Sequence, residues 1–267
     1  MDDNLSSLFV FDVDGTLLDS GLRILPSTRA CVQQLLRAGH RIALASARPP
    51  RSVMQLSQQL LGTVTEIISL NGAFVTHERE VLLERTIPAM AVTALIRKGR
   101  EFGIETNLLA GWEWLVEERG PGVEAETGIV GFEPTVVADL ERWSGQSVHK
   151  VLLIGEHDKV AALREWALKS AMGIDASLSK ETYCEVVADG TSKAGAVLFL
   201  AEKLAIPRER LITFGDGEND LPMIEAAGVG VAMGNAMEAV KVAAGVVTES
   251  NDEDGIANAL RRLGFIE

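Results

Sequence analysis

The chain has 267 residues, 47% hydrophobic and 24% charged, a length and apolar share that suit one large α/β domain or a core carrying a smaller inserted domain. Its 25 Lys and Arg against 38 Asp and Glu give a formal charge of −13. That balance argues against nucleic acid or an anionic membrane as the main partner, although a small basic pocket or a bound cation could still receive a phosphorylated substrate. Two cysteines, Cys31 and Cys184, supply neither a disulfide framework nor a metal motif. The opening MDDNLSSLFV lacks the basic and apolar regions of a signal peptide, and no apolar run reaches the ~18 residues of a membrane span. A cytoplasmic protein is expected.

In chain order, LFVF at 8–11 is an unbroken apolar run, the mark of a strand covered on both faces. Pro26 and Ser27 lead into a helix with Cys31, Val32, Leu35 and Leu36 on one stripe, Ser27 standing as N-cap and Gly39 as stop. A buried strand follows at 41–45, then a helix entered through Pro49 and Pro50, with Val53, Leu56, Leu60 and Leu61 on its apolar side. A short strand at 67–70 ends at Asn71-Gly72. Strand and helix alternate here as in a mostly parallel sheet. The middle is less regular: a helix at 90–102, the Trp112 and Trp114 segment, a Gly/Pro turn at 120–122, a helix at 136–143, a strand at 151–154 and a helix at 160–170. The earlier alternation then resumes. A helix at 193–204 precedes a strand at 211–214 and a further helix; strands at 229–232 and 246–248 flank a helix at 236–243, and a helix at 253–263 closes the chain. An α/β core interrupted by a cap explains this order better than two consecutive domains.

Asp12-Val13-Asp14-Gly15-Thr16 follows the first apolar strand directly. An extended chain would put Asp12 and Asp14 on one side, and a turn at Gly15 would expose backbone N–H groups that can cradle an anion. The plain alternative is an acidic strand end with an Asx-turn. The chemical reading is a carboxylate nucleophile beside a second carboxylate that exchanges a proton with the leaving group, with a hard metal ion relieving the repulsion between them. A second acidic loop, Gly215-Asp216-Gly217-Glu218-Asn219-Asp220, ends a later strand. Alone it could be turn-and-cap chemistry; together with the first, placed at C-terminal strand ends, it favours one shared site.

These segments resemble the haloacid dehalogenase superfamily of phosphohydrolases, and more closely its Cof-like branch, whose cap lies between the second and third family motifs. The resemblance covers essentially the whole chain. It implies a Rossmann-like α/β core with a mostly parallel sheet and helices on both faces, formed by residues 1–83 and 185–267, and an inserted α+β cap at 84–184. It implies Asp12 as nucleophile and Asp14 as general acid and then base, with the Asp14 backbone carbonyl helping to bind Mg²⁺. Asp216 is implied as a direct metal ligand, and Asp220 as a ligand or the holder of metal-bound water. Lys193, in Asp189-Gly190-Thr191-Ser192-Lys193, matches the cation of the third motif, which bridges Asp12 and phosphate. Ser46 in Ser46-Ala47-Arg48 matches the phosphate-binding hydroxyl of the second. Close relatives have Thr-Gly-Arg there, so Ala47 puts a methyl where glycine leaves more room. Arg48 could hold substrate or an acidic neighbour, or face solvent. Asn71 is implied as a pocket-shaping residue and Asn219 as a phosphate contact or loop-shaping residue.

The implied activity is Mg²⁺-dependent hydrolysis of small phosphomonoesters, sugar phosphates or phosphorylated cofactors, through an aspartyl-phosphate, with a small phosphorylated metabolite as the partner. A sugar-phosphate mutase using the same intermediate, and a noncatalytic phosphate-binding module, are the alternatives. His40, His77, His149 and His157 are too scattered for a metal site. Met223, Met233 and Met237 read as late-core packing. Trp112 and Trp114 could share one cap-strand face, packing there or meeting substrate.

Overall fold

The computed structural model describes residues 6–267; residues 1–5 of the first core segment lie outside the described residues. Two compact units emerge. One holds the described residues up to Ala47, Val53–Val81 and Ser192–Glu267, and the other holds Arg48–Ser52 and Leu82–Thr191.

In the first unit the apolar runs become strands β1 (Leu8–Asp12), β2 (Arg41–Ala45) and β3 (Glu66–Ser69), with helices α1 (Pro26–Arg37) and α2 (Pro50–Leu61) between them. Two further strands, β4 (Phe74–His77) and β5 (Glu80–Glu84), follow the Asn71-Gly72 turn. The sequence reading missed this pair because Thr76, His77 and Glu80 interrupt the apolar pattern. β1, β2 and β3 are mutually parallel, and β4 turns back antiparallel to β3.

The second unit contains α3 (Ala89–Phe102), β6 (Glu105–Ala110), β7 (Glu113–Val116), α4 (Pro121–Val130), β8 (Thr135–Val136), β9 (Lys150–Ile154), α5 (His157–Lys169), β10 (Ile174–Lys180) and β11 (Tyr183–Ala188). The chain then supplies α6 (Lys193–Lys203), β12 (Leu211–Gly215), α7 (Leu221–Ala226), β13 (Val229–Ala232), α8 (Glu238–Ala243), β14 (Val246–Val247) and α9 (Gly255–Arg262) to the first unit. Among the described residues no helix is long and apolar enough to cross a membrane.

The first sheet has the order β14-β13-β12-β1-β2-β3-β4-β5. β1, the most apolar strand, lies centrally, with Phe11 level with Leu44 on one side and Phe214 on the other. Alternation along the strands sends Phe9, Phe11, Ile42, Leu44 and Phe214 to one face, where they pack with Cys31, Val32 and Leu35 of α1, Val53 and Leu60 of α2, and Ile256 and Leu260 of α9. α6 and α7 pack against each other and reach β3, β12 and β13. Pro26 begins α1 at its first helical position, so Leu25 occupies the N-cap and makes no side-chain cap. Ser27 is therefore not the N-cap; its hydroxyl meets the Asp254 carboxylate.

The second sheet has the order β10-β11-β9-β6-β7-β8. α3 and α5 cover the face that carries Leu108, Leu115, Val151, Leu153, Cys184 and Val186. The opposite face carries buried polar groups: Trp114 donates to Asn107 at 2.9 Å, and Lys150 pairs with Glu185 at 3.2 Å. The expected turn at 120–122 is instead the start of α4, because Pro121 suits the first helical position and the Glu105 carboxylate accepts from Gly122 N and Val123 N. The expected helix at 136–143 is strand β8 followed by a 3₁₀ turn, Leu140–Trp143, begun by the Asp139 carboxylate accepting from Glu141 N. Trp114 is buried, whereas Trp112 lies off the strands in the β6–β7 turn, so the two do not share a strand face.

Leu44 sits fully buried at the centre of the first core. Leu44→Ala should therefore lower unfolding free energy by about 2–5 kcal/mol in a denaturant titration. A loss below about 1 kcal/mol would show that the Leu44 site is not in a close-packed core.

Candidate active site

Parallel strands with short loops deliver side chains to one edge of a sheet, the edge where their C-termini lie. β1 ends at Asp12, β2 at Ala45 with Ser46 next, and β12 at Gly215 with Asp216 next. These strands are neighbours in register, Asp12 level with Ala45 and Phe11 with Phe214. The order of the sheet thus gathers three segments far apart in the chain.

Lys193, the first residue of α6, brings the cation. Ser192 caps that helix by accepting from Gly195 N. The Lys193 ammonium donates to Asp12 Oδ1 at 2.5 Å and to Asp220 Oδ1 at 2.7 Å, with all three side chains buried. The second Asp220 oxygen accepts from Asp216 N at 3.1 Å and Gly217 N at 3.0 Å, tying the acidic loop back on itself. Thr16 Oγ1 donates to Asp216 Oδ1 at 2.7 Å, joining the two acidic loops. Gly15 between them has φ +80°, and a Cβ there would overlap the Asp216 carboxylate. Glycine is required on both counts.

The electrostatics follow from burial. Removal from water raises the Asp12 carboxyl well above its ordinary range; Asp220 and Asp216 add to the rise, and Lys193 opposes it. Burial also pushes Asp216 up to about 6, Thr16 and Lys193 pulling it down while Asp220 and Asp14 raise it. For Lys193 burial works toward loss of the proton, but Asp12 and Asp220 outweigh it, and the ammonium is held above its usual range. Burial pushes the Cys31 and Cys184 thiols up to about 12, so neither is poised as a nucleophile.

Asp12, Asp216 and Asp220 present oxygens within 4.8 Å of one another, a group that could hold a metal ion. The donors are all carboxylate oxygens, with no thiol or imidazole, and fit a hard divalent cation such as Mg²⁺. The Asp14 side chain is exposed and stands outside this trio.

The expected phosphate-side residues divide. Ser46 is buried, and its carbonyl accepts from Asn71 N at 3.1 Å. Asn71 adopts a left-handed backbone (φ 59°), and Asn219 Nδ2 lies 3.4 Å from its side-chain oxygen. A Cβ at Gly72 would strike the Ser192 carbonyl, so this turn lies directly against the start of α6. Ser46, Asn71, Asn219 and Lys193 are thereby drawn to one end of the first unit. Arg48 falls in the second unit, buried, donating to the Ile129 carbonyl at 2.7 Å and reaching Ser52 Oγ at 3.4 Å.

The sequence reading gave residues 233–237 no part in the site. Met233 N donates to the Gly215 carbonyl and Met237 N to that of Asp216, while Asn235 Nδ2 donates to the Gly15 carbonyl at 2.8 Å. The available signal was the end of β13, whose Ala232 is level with Gly215. Met223 and Met233 pack in the core, but Met237 is 53% exposed, correcting its reading as a packing residue.

A parallel α/β core with converging carboxylates and a buried lysine at its strand ends defines a haloacid dehalogenase-like hydrolase, and the chain belongs to that family, in its Cof-like branch: the family model for haloacid dehalogenase-like hydrolases matches residues 9–260. The chain is 33% identical over 264 residues to the Bacillus subtilis 5-amino-6-(5-phospho-D-ribitylamino)uracil phosphatase YitU, covering 95% of this chain and 96% of that one. It is 28% identical to the Escherichia coli pyridoxal phosphate phosphatase YbhA, over 94% of this chain and 96% of that one. A solved haloacid dehalogenase-like hydrolase from Bacteroides thetaiotaomicron superposes with a TM-score of 0.90 at 32% identity, covering 97% of this chain and 99% of that chain.

The elevated Asp216 makes a signed prediction. Its folded-state value of about 6 exceeds the ordinary carboxylate value of 3.8, so the metal-free folded state binds this proton more tightly than the unfolded chain does. The resulting stabilisation is complete below pH 3.8 and is lost as pH rises through about 6. Asp216→Asn should accordingly raise the Tm of chelator-treated protein at neutral pH, with the gain shrinking toward pH 4.5. A gain independent of pH would refute this account of the charge.

Proposed function

We propose that the protein is a Mg²⁺-dependent phosphatase of small phosphorylated metabolites, sugar phosphates or phosphorylated cofactors. The observation that carries this reading is Asp12 at the end of the central strand, its carboxylate 2.5 Å from a buried ammonium and beside Asp216 and Asp220. The activities named for YitU and YbhA support the substrate class. Two buried free cysteines support a cytoplasmic setting.

In the first step an Asp12 oxygen attacks phosphorus, and the bond from phosphorus to the leaving oxygen breaks. Asp14 gives its proton to that oxygen, releasing an alcohol and leaving an aspartyl-phosphate. Asp14, now a carboxylate, takes a proton from water as the water attacks phosphorus. The bond to Asp12 then breaks, freeing inorganic phosphate and restoring both side chains. Lys193 holds Asp12 in place and offsets charge gathered as the two anions meet. Ser46 and Asn219 are assigned to the phosphate oxygens, and Asn71 to the shape of their pocket. A divalent cation held by Asp12, Asp216, Asp220 and the Asp14 carbonyl would supply further charge neutralisation. Arg48 is assigned to substrate binding. The segment at 84–184, inserted between the Ser46 and Lys193 motifs, is taken as the cap that sets leaving-group preference.

Phosphate release across a panel of phosphorylated metabolites should require Mg²⁺ and stop with chelator. Asp12→Asn should lower kcat by at least about 10³-fold, and Lys193→Met by about 10²- to 10³-fold. Peptide mass spectrometry of the quenched reaction should find phosphate on Asp12. Phosphate on another residue, or full turnover by Asp12→Asn, would overturn the mechanism.

Trp112, in the β6–β7 turn of the inserted segment, offers a probe of leaving-group preference. Trp112→Ala should change relative kcat/KM among leaving groups while metal affinity stays constant. Unchanged relative values would remove Trp112 from leaving-group selection.

A further inference from the structure

We propose that Asn235 is a positioning residue for the transfer site, its side-chain amide fixing the peptide turn that carries Asp14 and aims Thr16 at Asp216; the catalytic part of this inference rests on the phosphatase reading above. The amide is engaged at both ends: Nδ2 donates to the Gly15 carbonyl at 2.8 Å, and Oδ1 accepts from Asn251 N at 3.0 Å. A backbone N–H can only donate and a carbonyl only accept, so these two partners fix which way the amide faces. Asn251 in turn donates through Nδ2 to the Leu18 carbonyl at 2.8 Å. Two asparagines therefore hold both ends of the 15–18 turn.

The main chain around Asn235 grips the other acidic loop, Met233 N on the Gly215 carbonyl and Met237 N on that of Asp216. One short turn thus sets the spacing of both loops. Because the peptide unit is planar, holding the Gly15 carbonyl also sets the direction of Thr16 N–H, and Thr16 is the residue bound to Asp216. Left-handed Gly15 has wide backbone freedom of its own, which is where an external tether has most effect.

Asn235 is itself exposed. A hydrogen bond that water can replace contributes little to net stability, so the side chain should matter more to geometry than to folding.

Asn235→Asp separates the two ends of the amide: a carboxylate still accepts from Asn251 N but sets an acceptor against the Gly15 carbonyl. Asn235→Ala removes both contacts without adding charge. Both variants should lose about 10- to 100-fold in kcat with KM little changed, and their Tm should stay within about 2 °C of the parent. Amide hydrogen exchange, measured on free protein without metal or substrate, should quicken in the 13–18 segment in both. Parental exchange in Asn235→Asp overturns the proposal whatever the activity, because it removes the tether itself. Faster exchange with parental kcat in Asn235→Ala also overturns it, since the turn would then be held for no catalytic purpose. Failure of the wild-type protein to hydrolyse any phosphomonoester would sink the phosphatase reading, and with it the catalytic part, while exchange still decides whether the tether exists.

Discussion

The buried ammonium of Lys193 is the interaction on which the site depends. It lies between Asp12 and Asp220, and Asp216 stands close to both. Three carboxylates against one ammonium leave two negative charges uncompensated when all ionise, in a place where water screens them weakly. Burial first, and this imbalance second, explain why Asp12 and Asp216 hold their protons more tightly than ordinary carboxyls, while the carboxylates keep Lys193 from giving its own up. The imbalance also explains why the arrangement suits a divalent cation: two positive charges would close the deficit, and the oxygens converge already. Burying such a cluster is costly for folding.

The fold supplies what holds the cluster together. Four parallel neighbours, β13, β12, β1 and β2, bring their C-terminal ends to one edge, so residues two hundred positions apart meet through loops of a few residues. Short loops leave few conformations to lose, which limits the entropic cost of placing each carboxylate. Close approaches without side chains complete the arrangement: Gly15 admits Asp216, and Gly72 admits the start of the helix that carries Lys193. A methyl at either position would displace the Asp216 carboxylate or the Ser192 carbonyl at the start of α6.

Most strands of the first unit were legible because a doubly covered strand is almost wholly apolar, and LFVF, IALA and LITF carry one polar residue between them, Thr213. The two acidic loops were legible for a related reason: charge immediately after such a run has few structural explanations. The second unit was harder to read. There the pattern depends on partners remote in sequence, as with α4, whose first turn is satisfied by Glu105 on β6, and the 3₁₀ turn at Leu140–Trp143 begun by Asp139. Gly120-Pro121-Gly122 looked like a turn because glycine and proline break structure locally, and the carboxylate that makes a helix start there cannot be seen from those three residues. Asn235 was passed over because an asparagine after a glycine is ordinary turn chemistry until the carbonyl it holds is known.

The two kinds of hydrogen bond at the site do different work. Lys193 with its two aspartates is buried and charge-assisted, so breaking it strands an uncompensated charge. The bonds from Asn235 to Gly15 and from Asn219 to Asn71 lie at the exposed rim, where water can take over either partner. Asp12 is thus held by interactions too costly to exchange, whereas the turns around it are held by bonds that contribute direction more than stability. The mechanism proposed above requires both properties: it has Asp12 meet phosphorus along one line while the turns beside it keep their aim. The first requirement is met deep in the strand end, the second at its edge, and the few residues from Asp12 to Thr16 join them.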